Sequence, residues 1–326
     1  MTLPTCLVTG GSGFVGGKLI ERLSARGWHV RALARSEEAS AIVLKHGAHP
    51  VRGSLDDEAS LTAAAHGCDA VIHVAALFKL WGTREEFERA NVQGTANLLR
   101  AAEASGSVKR FVQVGAAAVV MGDMEPMLKV TESQPQQERT WAPYSASKAR
   151  SEALVLGANR PGVFETVVIR PPMIWGAGMP TLDHMVANVL AGQFRWVGDG
   201  TQAMSTAHVD NVCHAATLAL KKGRGGQAYF VSDGYDSTLK QVLSGLFQTQ
   251  SVVPPDASVP LPVAWFMATQ MEWMWRVFGR KGEPPITRQM LRLIGKPFTV
   301  DISKAQRELG YTPETSWEQG IKAMKR

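Results

Sequence analysis

Thr9-Gly10-Gly11-Ser12-Gly13-Phe14-Val15-Gly16 is the stretch on which the reading of this chain turns. It follows the strand-like run Thr5–Thr9 directly and opens the helical pattern Phe14–Ala25. Glycines permit a tight turn and let the backbone approach a pyrophosphate, while the helix N-terminus offers free N–H groups to that anion. The spacing is GxxGxxG rather than GxGxxG, so the strand before and the helix after carry as much of the argument as the triplet itself. Gly10, Ser12, Gly13, Phe14, Val15 and Gly16 are therefore candidate contacts to a dinucleotide.

The pattern continues outward from the loop. Val30–Ala34 reads as a second strand, Glu37–His46 as a helix, and Pro50–Arg52 and Ala70–Val74 as strands. A long helix is predicted from about Glu85 to Ala104, a strand over Arg110–Val114, a helix over Tyr144–Leu156 and a strand over Thr166–Arg170. Strands alternating with helices predict an α/β fold, a Rossmann doubly wound parallel sheet with helices on both faces. After Arg170-Pro171-Pro172 the rhythm changes, with helices predicted near Leu182–Ala191, Val209–Lys221 and Leu239–Phe247 among Gly/Asp-rich turns. This divides the chain into a dinucleotide-binding domain, 1–170, and a smaller substrate-binding part, 171–326, with a soft boundary. At the end of the second strand stands Arg35, where an NAD-preferring site usually carries an acidic residue for the ribose 2′-OH. An arginine there suits a 2′-phosphate, so the expected cofactor is NADP, with NAD left open.

Composition excludes several classes. The 326 residues are 45% hydrophobic and 20% charged, an ordinary globular balance. The net charge of +6 comes from scattered residues, with no recognition motif or basic stripe for nucleic acid. Three isolated cysteines, Cys6, Cys68 and Cys213, form no metal-ligand pattern and read as buried thiols, so no metal is expected. Neither a signal peptide nor an apolar run of about 18 residues is read, so a cytoplasmic protein is expected.

Tyr144-Ser145-Ala146-Ser147-Lys148 supplies chemistry. A spacing of four on a helix puts Tyr144 and Lys148 on one face, one turn apart. A phenol titrating near ~10 is a poor acid–base group at neutral pH. A nearby ammonium and the positive oxidised nicotinamide favour the phenolate. Tyr144 could then exchange a proton with a substrate oxygen as hydride moves, while Lys148 holds the ribose.

The chain at this point resembles the extended short-chain dehydrogenase/reductase family, over nearly its whole length. The resemblance rests on Thr9–Gly16, His73-Val74-Ala75-Ala76, Asn91-Val92-Gln93-Gly94-Thr95, Tyr144–Lys148, Arg170-Pro171-Pro172 and His208-Val209-Asp210-Asn211. Within the family it looks most like the 3β-hydroxysteroid dehydrogenase/isomerase-like branch, whose substrates are sterols, 2-alkyl-3-oxoacids and related apolar molecules. The resemblance implies that Ala75 and Ala76 line the cofactor and that Pro171, Met173 and Ile174 flank its nicotinamide end. His73 reads as a core histidine, and Asn91 as a tie between helix and strand.

Two positions depart from the family. Where it carries a catalytic Ser or Thr after the fifth strand, this chain has Ala116, and no hydroxyl residue occurs between Ser107 and Thr131. Losing one such donor typically costs about 10²–10³ in rate. Where the family places an Asp to meet the adenine, this chain has Gly53-Ser54-Leu55, leaving Ser54 as a weak acceptor with Leu55 beside it.

The segment Pro260–Phe278 is rich in Trp and Met, with Met267, Met271, Met274 and Phe278 at helical spacing. It reads as a core-facing helix, a lid over a greasy substrate, or a helix in a membrane interface. Trp81, Trp175 and Trp265 are candidate walls of an apolar pocket. The leading expectation is an NAD(P)-dependent oxidoreductase interconverting a secondary alcohol and a ketone on a bulky hydrophobic substrate, steroid-like or 3-oxoacyl-like. A sugar-nucleotide epimerase or dehydratase, and a non-catalytic NADP-binding protein suggested by Ala116, are the alternatives. Peripheral membrane contact through 260–278 and a homodimer are left open.

Overall fold

A computed structural model describes residues 3–325. Among them, seven parallel strands form the main sheet. Its order is Gln227–Phe230, Glu165–Arg170, β5 (Arg110–Val114), β4 (Ala70–His73), β1 (Thr5–Thr9), β2 (His29–Ala34) and β3 (His49–Arg52). Alternation along β1 sends Cys6 and Val8 to one face and Leu7 to the other, each into a separate buried cluster. On the first face lie α1 (Phe14–Ala25), α2 (Glu37–Lys45) and Val209–Lys222; on the second lie α3 (Glu58–Ala65), Gly94–Ala104 and the tyrosine helix, Pro143–Gly157. This is the doubly wound α/β fold expected, and all three cysteines are buried free thiols.

Three local differences have physical reasons. Helix α3 carries no apolar stripe, because its alanines fall all round the helix; Asp57 nevertheless caps it by accepting from the Ala59 and Ser60 N–H groups. The run from Arg84 to Ala104 is helical throughout but widens to a π-turn over Glu88–Gln93, which carries Asn91. The main sheet also takes its edge strand Gln227–Phe230, and the helix Val209–Lys222, from beyond residue 171. The smaller part is therefore a region of space, fed by several crossings of the chain.

That region is built on a second sheet, ordered Asp236–Thr238, Ala203–His208, Phe298–Val300, Met127–Val130, with Met173–Trp175 also paired to Ala203–His208. Buried Asp233 knits it together, accepting from the Trp175 indole (2.7 Å), the Thr206 hydroxyl (2.8 Å), the His208 N–H (2.6 Å) and the Asn211 amide (2.8 Å). The motif His208–Asn211 is thus a structural staple. It also corrects one expectation: Trp175 is fully buried against His208 and Trp317, so it belongs to this core and lines no pocket.

Candidate active site

The glycine loop is shaped for an anion. Gly10 adopts a left-handed backbone (φ +72°), and a Cβ there would sit 2.7 Å from the Ala75 nitrogen. A Cβ on Gly16 would strike the Gly10 carbonyl. The loop therefore needs both glycines to close against the end of β4. Helix α1 begins at Gly13 with no side-chain cap and no acidic residue in its first turn, whereas α2 and α3 are capped by Ser36 and Asp57. Its free N–H groups and positive dipole end are left for an outside anion, which fits a dinucleotide pyrophosphate.

A buried polar chain ties this loop to the tyrosine helix. Thr9 Oγ1 lies 2.7 Å from His73 Nδ1, and His73 Nε2 lies 2.9 Å from Thr95 Oγ1. Thr95 Oγ1 donates to the Asn91 carbonyl (2.6 Å) and is 2.9 Å from Ser151 Oγ, which accepts from the Gln113 amide (2.6 Å). Ala75 N–H donates to Thr9 Oγ1 (3.3 Å). One proton assignment satisfies this chain: Thr9 donates to Nδ1, and His73 donates from Nε2. Burial, aided by the Lys148 charge, pulls the His73 pKa down to about 3, so the ring is neutral. His73 is thus a strut. Asn91 is another, accepting from the Leu77 N–H (2.7 Å) and donating to the Leu77 carbonyl (3.1 Å) and Ser147 Oγ (2.9 Å).

The tyrosine helix starts at Pro143, a residue suited to the first helical position. Tyr144 is buried, with Phe78 edge-on at 5.1 Å and Phe87 at 6.3 Å between ring centroids. Burial pushes its phenol well above the ordinary range. Lys148 donates to the Val114 carbonyl (3.1 Å); burial brings its pKa down to about 8, and the Glu152 carboxylate works against that fall. Glu152 is the buried charged neighbour of Lys148 that sequence reasoning missed, although it continues the same face four residues on. One of its oxygens accepts from Arg170 Nε (2.8 Å) and the Gln136 amide (2.8 Å); the other is buried without a hydrogen bond, beside Gly115. Burial raises the Glu152 pKa, while Arg170 and Lys148 oppose the rise.

Ala116 sits between two clamps, with the Gly115 N–H on the Ile169 carbonyl and the Ala117 N–H on the Pro171 carbonyl, each 2.8 Å. This holds it beside Pro171. No neighbouring serine replaces the missing hydroxyl: Ser147 Oγ donates to the Tyr144 carbonyl (2.8 Å), and Ser145 Oγ takes Arg292 (2.7 Å). Met173 and Ile174 follow on the strand that pairs with Ala203–His208. Ala76 is exposed just past β4. Ser54 Oγ accepts from the Asp56 N–H (3.3 Å), and Leu55 packs against Gly94. Arg35 is exposed at the end of β2. The nearest carboxylate in sequence, Glu37, is paired with Arg52 at 2.9 Å.

Two further aromatic contacts link neighbouring segments of the chain. The Arg276 guanidinium lies 4.9 Å from the Trp81 ring, and Trp265 meets Trp141 edge-on at 5.6 Å. Phe78 and Trp141 were not singled out from sequence; the signal available was their nearness to Trp81 and to Pro143. Arg276 and Trp265 belong to the outer helix, Leu261–Val277. The expected apolar face of Met267, Met271, Met274 and Phe278 is not its buried face. Ala264, Ala268 and Glu272 face the core, because Glu272 must reach Arg288 (2.7 Å to its N–H, 2.9 Å to Nε).

Residues 6–232 match the NAD dependent epimerase/dehydratase family. The chain belongs to that family. It is 41% identical, over 98% of its length and 95% of the relative's, to a 4-hydroxy-2-methyl-3-oxo-4-farnesyl-3,4-dihydroquinoline-1-oxide ketoreductase of Stigmatella aurantiaca. It is 32% identical to a decarboxylating sterol-4-alpha-carboxylate 3-dehydrogenase of Dictyostelium discoideum, over 96% and 98% of the two chains. The crystal structure of a dTDP-glucose 4,6-dehydratase of Streptomyces venezuelae with NAD bound superposes with a TM-score of 0.76, at 26% identity and covering 98% and 95%. The chain is thus an extended short-chain dehydrogenase/reductase of the 3β-hydroxysteroid-dehydrogenase-like branch, an NAD(P)-dependent oxidoreductase.

Proposed function

We propose that this epimerase/dehydratase-family enzyme reduces the ketone, or oxidises the secondary alcohol, of a bulky apolar substrate, with NADP preferred. The observation that carries the substrate class is a set of aromatic rings near Tyr144: Phe78 lies edge-on against Tyr144, Trp81 follows Phe78 in the same loop, and Trp141, just before Tyr144 in the chain, meets Trp265. Such a surface offers a large apolar area and few polar partners. The named activities of the quinoline ketoreductase and the sterol dehydrogenase support the same class. NADP is favoured by the exposed Arg35, with no carboxylate at the end of β2.

A bound nicotinamide would supply or accept the hydride. Tyr144 is the acid–base. Its raised pKa keeps it a phenol, ready to give its proton to the carbonyl oxygen during reduction. Lys148 is positioned by the Val114 carbonyl, and its ammonium stabilises the phenolate left behind. Gly10, Ser12, Gly13, Phe14, Val15 and Gly16 hold the pyrophosphate, with Ser54 and Leu55 toward the adenine. Ala75, Ala76, Pro171, Met173 and Ile174 line the rest of the cofactor's path. Cofactor binding centres on 1–170, with Pro171, Met173 and Ile174 added from 171–326; the aromatic surface draws Phe78, Trp81 and Trp141 from the first part and Trp265 from the second.

Fluorescence titration with NADPH and NADH tests the cofactor reading. Tighter binding of NADPH, reversed by Arg35→Asp, is the expected result; equal affinities would overturn it. A panel of bulky and small ketones tests the substrate reading. Ala116 favours a second reading, a protein that binds cofactor without turnover. Full NADPH binding with no turnover of any ketone would select it.

A further inference from the structure

The short helix Arg288–Ile294 turns three polar side chains toward the entry of the tyrosine helix. The Arg288 guanidinium lies 5.2 Å from the centroid of the Trp141 ring. Gln289 Nε2 donates to Ser145 Oγ (3.4 Å), and Arg292 Nη1 donates to the same oxygen (2.7 Å). Positions 288, 289 and 292 fall on one face of the helix, so a single turn grips residues 141 and 145 together. Tyr144 falls between them in the chain.

The other arm of Arg292 reaches the segment that carries Ala116. Its Nη2 donates to the Met121 carbonyl, at the end of the 3₁₀ turn Ala117–Val120. Residues 116–121 and Tyr144 share one buried cluster, so one planar guanidinium bridges the two pieces that flank the site. Packing alone does not account for this residue. Its side chain is fully buried, its hydrogen bonds go to two neutral oxygens, and its ion-pair partner, Asp123, is exposed and 3.5 Å from Nε. Its charge also stands at the first turn of a helix, the end where the dipole disfavours a cation. An apolar side chain of similar volume would ordinarily fill such a place at less cost.

We propose that Arg292 is a positioning residue for the reaction: its fork sets the tyrosine helix against the Ala116 segment, and so sets where the Tyr144 phenol meets the substrate oxygen. With Ala116 in place of a hydroxyl residue, that oxygen has one side-chain partner fewer, and the setting of Tyr144 counts for more. The clamp stands on geometry alone; its effect on turnover rests on the reading of the enzyme as a reductase of apolar ketones.

Two measurements on the full chain test it. Hydrogen exchange reads the clamp, with or without turnover. Arg292→Gln should speed exchange of residues 117–121 and of the first turn of Pro143–Gly157 together, while β1 and α1 exchange as in the parent. Turnover of a bulky ketone reads the consequence. In the same variant kcat should fall about tenfold to 10², with KM and NADPH affinity unchanged. Arg292→Lys keeps the buried charge but not the fork, so it should lose kcat in the same way; it carries the test if the glutamine variant fails to fold. Unchanged exchange in either segment, or faster exchange throughout the main sheet, overturns the clamp. Full kcat in either variant, or a loss confined to KM, overturns positioning. A parent that reduces no ketone sinks the reductase reading instead, and the exchange result still decides the clamp.

Discussion

The tyrosine helix and the outer helix invert the usual rule of burial in opposite directions. Pro143–Gly157 buries Tyr144, Ser145, Ser147, Lys148, Ser151 and Glu152. Leu261–Val277 exposes Phe266, Met267, Trp273 and Val277. Each also buries a glutamate held by an arginine, Glu152 by Arg170 and Glu272 by Arg288. Buried polar groups are costly unless each finds a partner, and exposed apolar rows waste burial energy. In the first helix the partners exist: Gln113, Thr95, Asn91 and the Val114 carbonyl accept or supply the hydrogen bonds. In the second, the outward face is left open to solvent. Departures of this kind are expected where function outweighs packing.

The strongest way to break the comparison is Tyr144→Phe. It should lower kcat/KM about 10³-fold while NADPH titration is unchanged. Loss of cofactor binding with activity would mean that the helix was polar for structural reasons only. Ala116→Ser runs the other way. A hydroxyl where the family carries its catalytic Ser should raise kcat on a bulky ketone by up to about 10²; an unchanged rate would show that the substrate oxygen is held by another group.

On the outer helix the two faces should respond oppositely. Ala268→Leu overfills the inner face and should cost about 1–3 kcal/mol in urea unfolding. Phe266→Ser on the outer face should cost less than about 0.5 kcal/mol. Equal costs would remove the inversion.

The smallest effect concerns pH. Burial lowers the Lys148 pKa from 10.5 to about 8. The unfolded chain therefore holds more protons between those values, so stability contributed by this group rises with pH across about 8 to 10.5. Activity moves the opposite way, because Tyr144 loses its neighbouring ammonium as pH passes about 8. Glu152→Gln removes a charge that keeps the ammonium protonated. The alkaline limb of kcat/KM should then shift acidward by about one unit. An unmoved limb would leave Glu152 a purely structural partner of Arg170.

Much of this was legible locally. The loop Gly10–Gly16, the strand before it and the helix after it depend on short-range sterics and hydrogen bonding, and they fall where the residues put them. The same holds for Tyr144 and Lys148, one helical turn apart, and for the absence of a hydroxyl at Ala116. Helix α3 was not legible because its alanines give no periodic contrast. Trp175 was misread because a tryptophan after a strand looks alike whether it walls a pocket or fills a core. Only the indole's bond to Asp233, from 58 residues away, distinguishes them.

The sequence by itself determined the alternation of strands and helices, the tight glycine loop between β1 and α1, and the placing of Tyr144 and Lys148 one helical turn apart, because each is written in contacts between near neighbours. The tertiary structure decided which side of Leu261–Val277 faces water, that His73 is a neutral strut, and that Glu152 stands behind Lys148. Those facts depend on partners outside the element itself: Arg288, 16 residues away, and Trp141 for the helix, Thr9, 64 residues away, for the histidine, and Gln113 and Val114 for the tyrosine helix. Periodicity shows that a helix has faces. Which face is buried follows from where a charged side chain such as Glu272 finds its arginine, because an unpaired buried carboxylate costs more than several exposed methylenes.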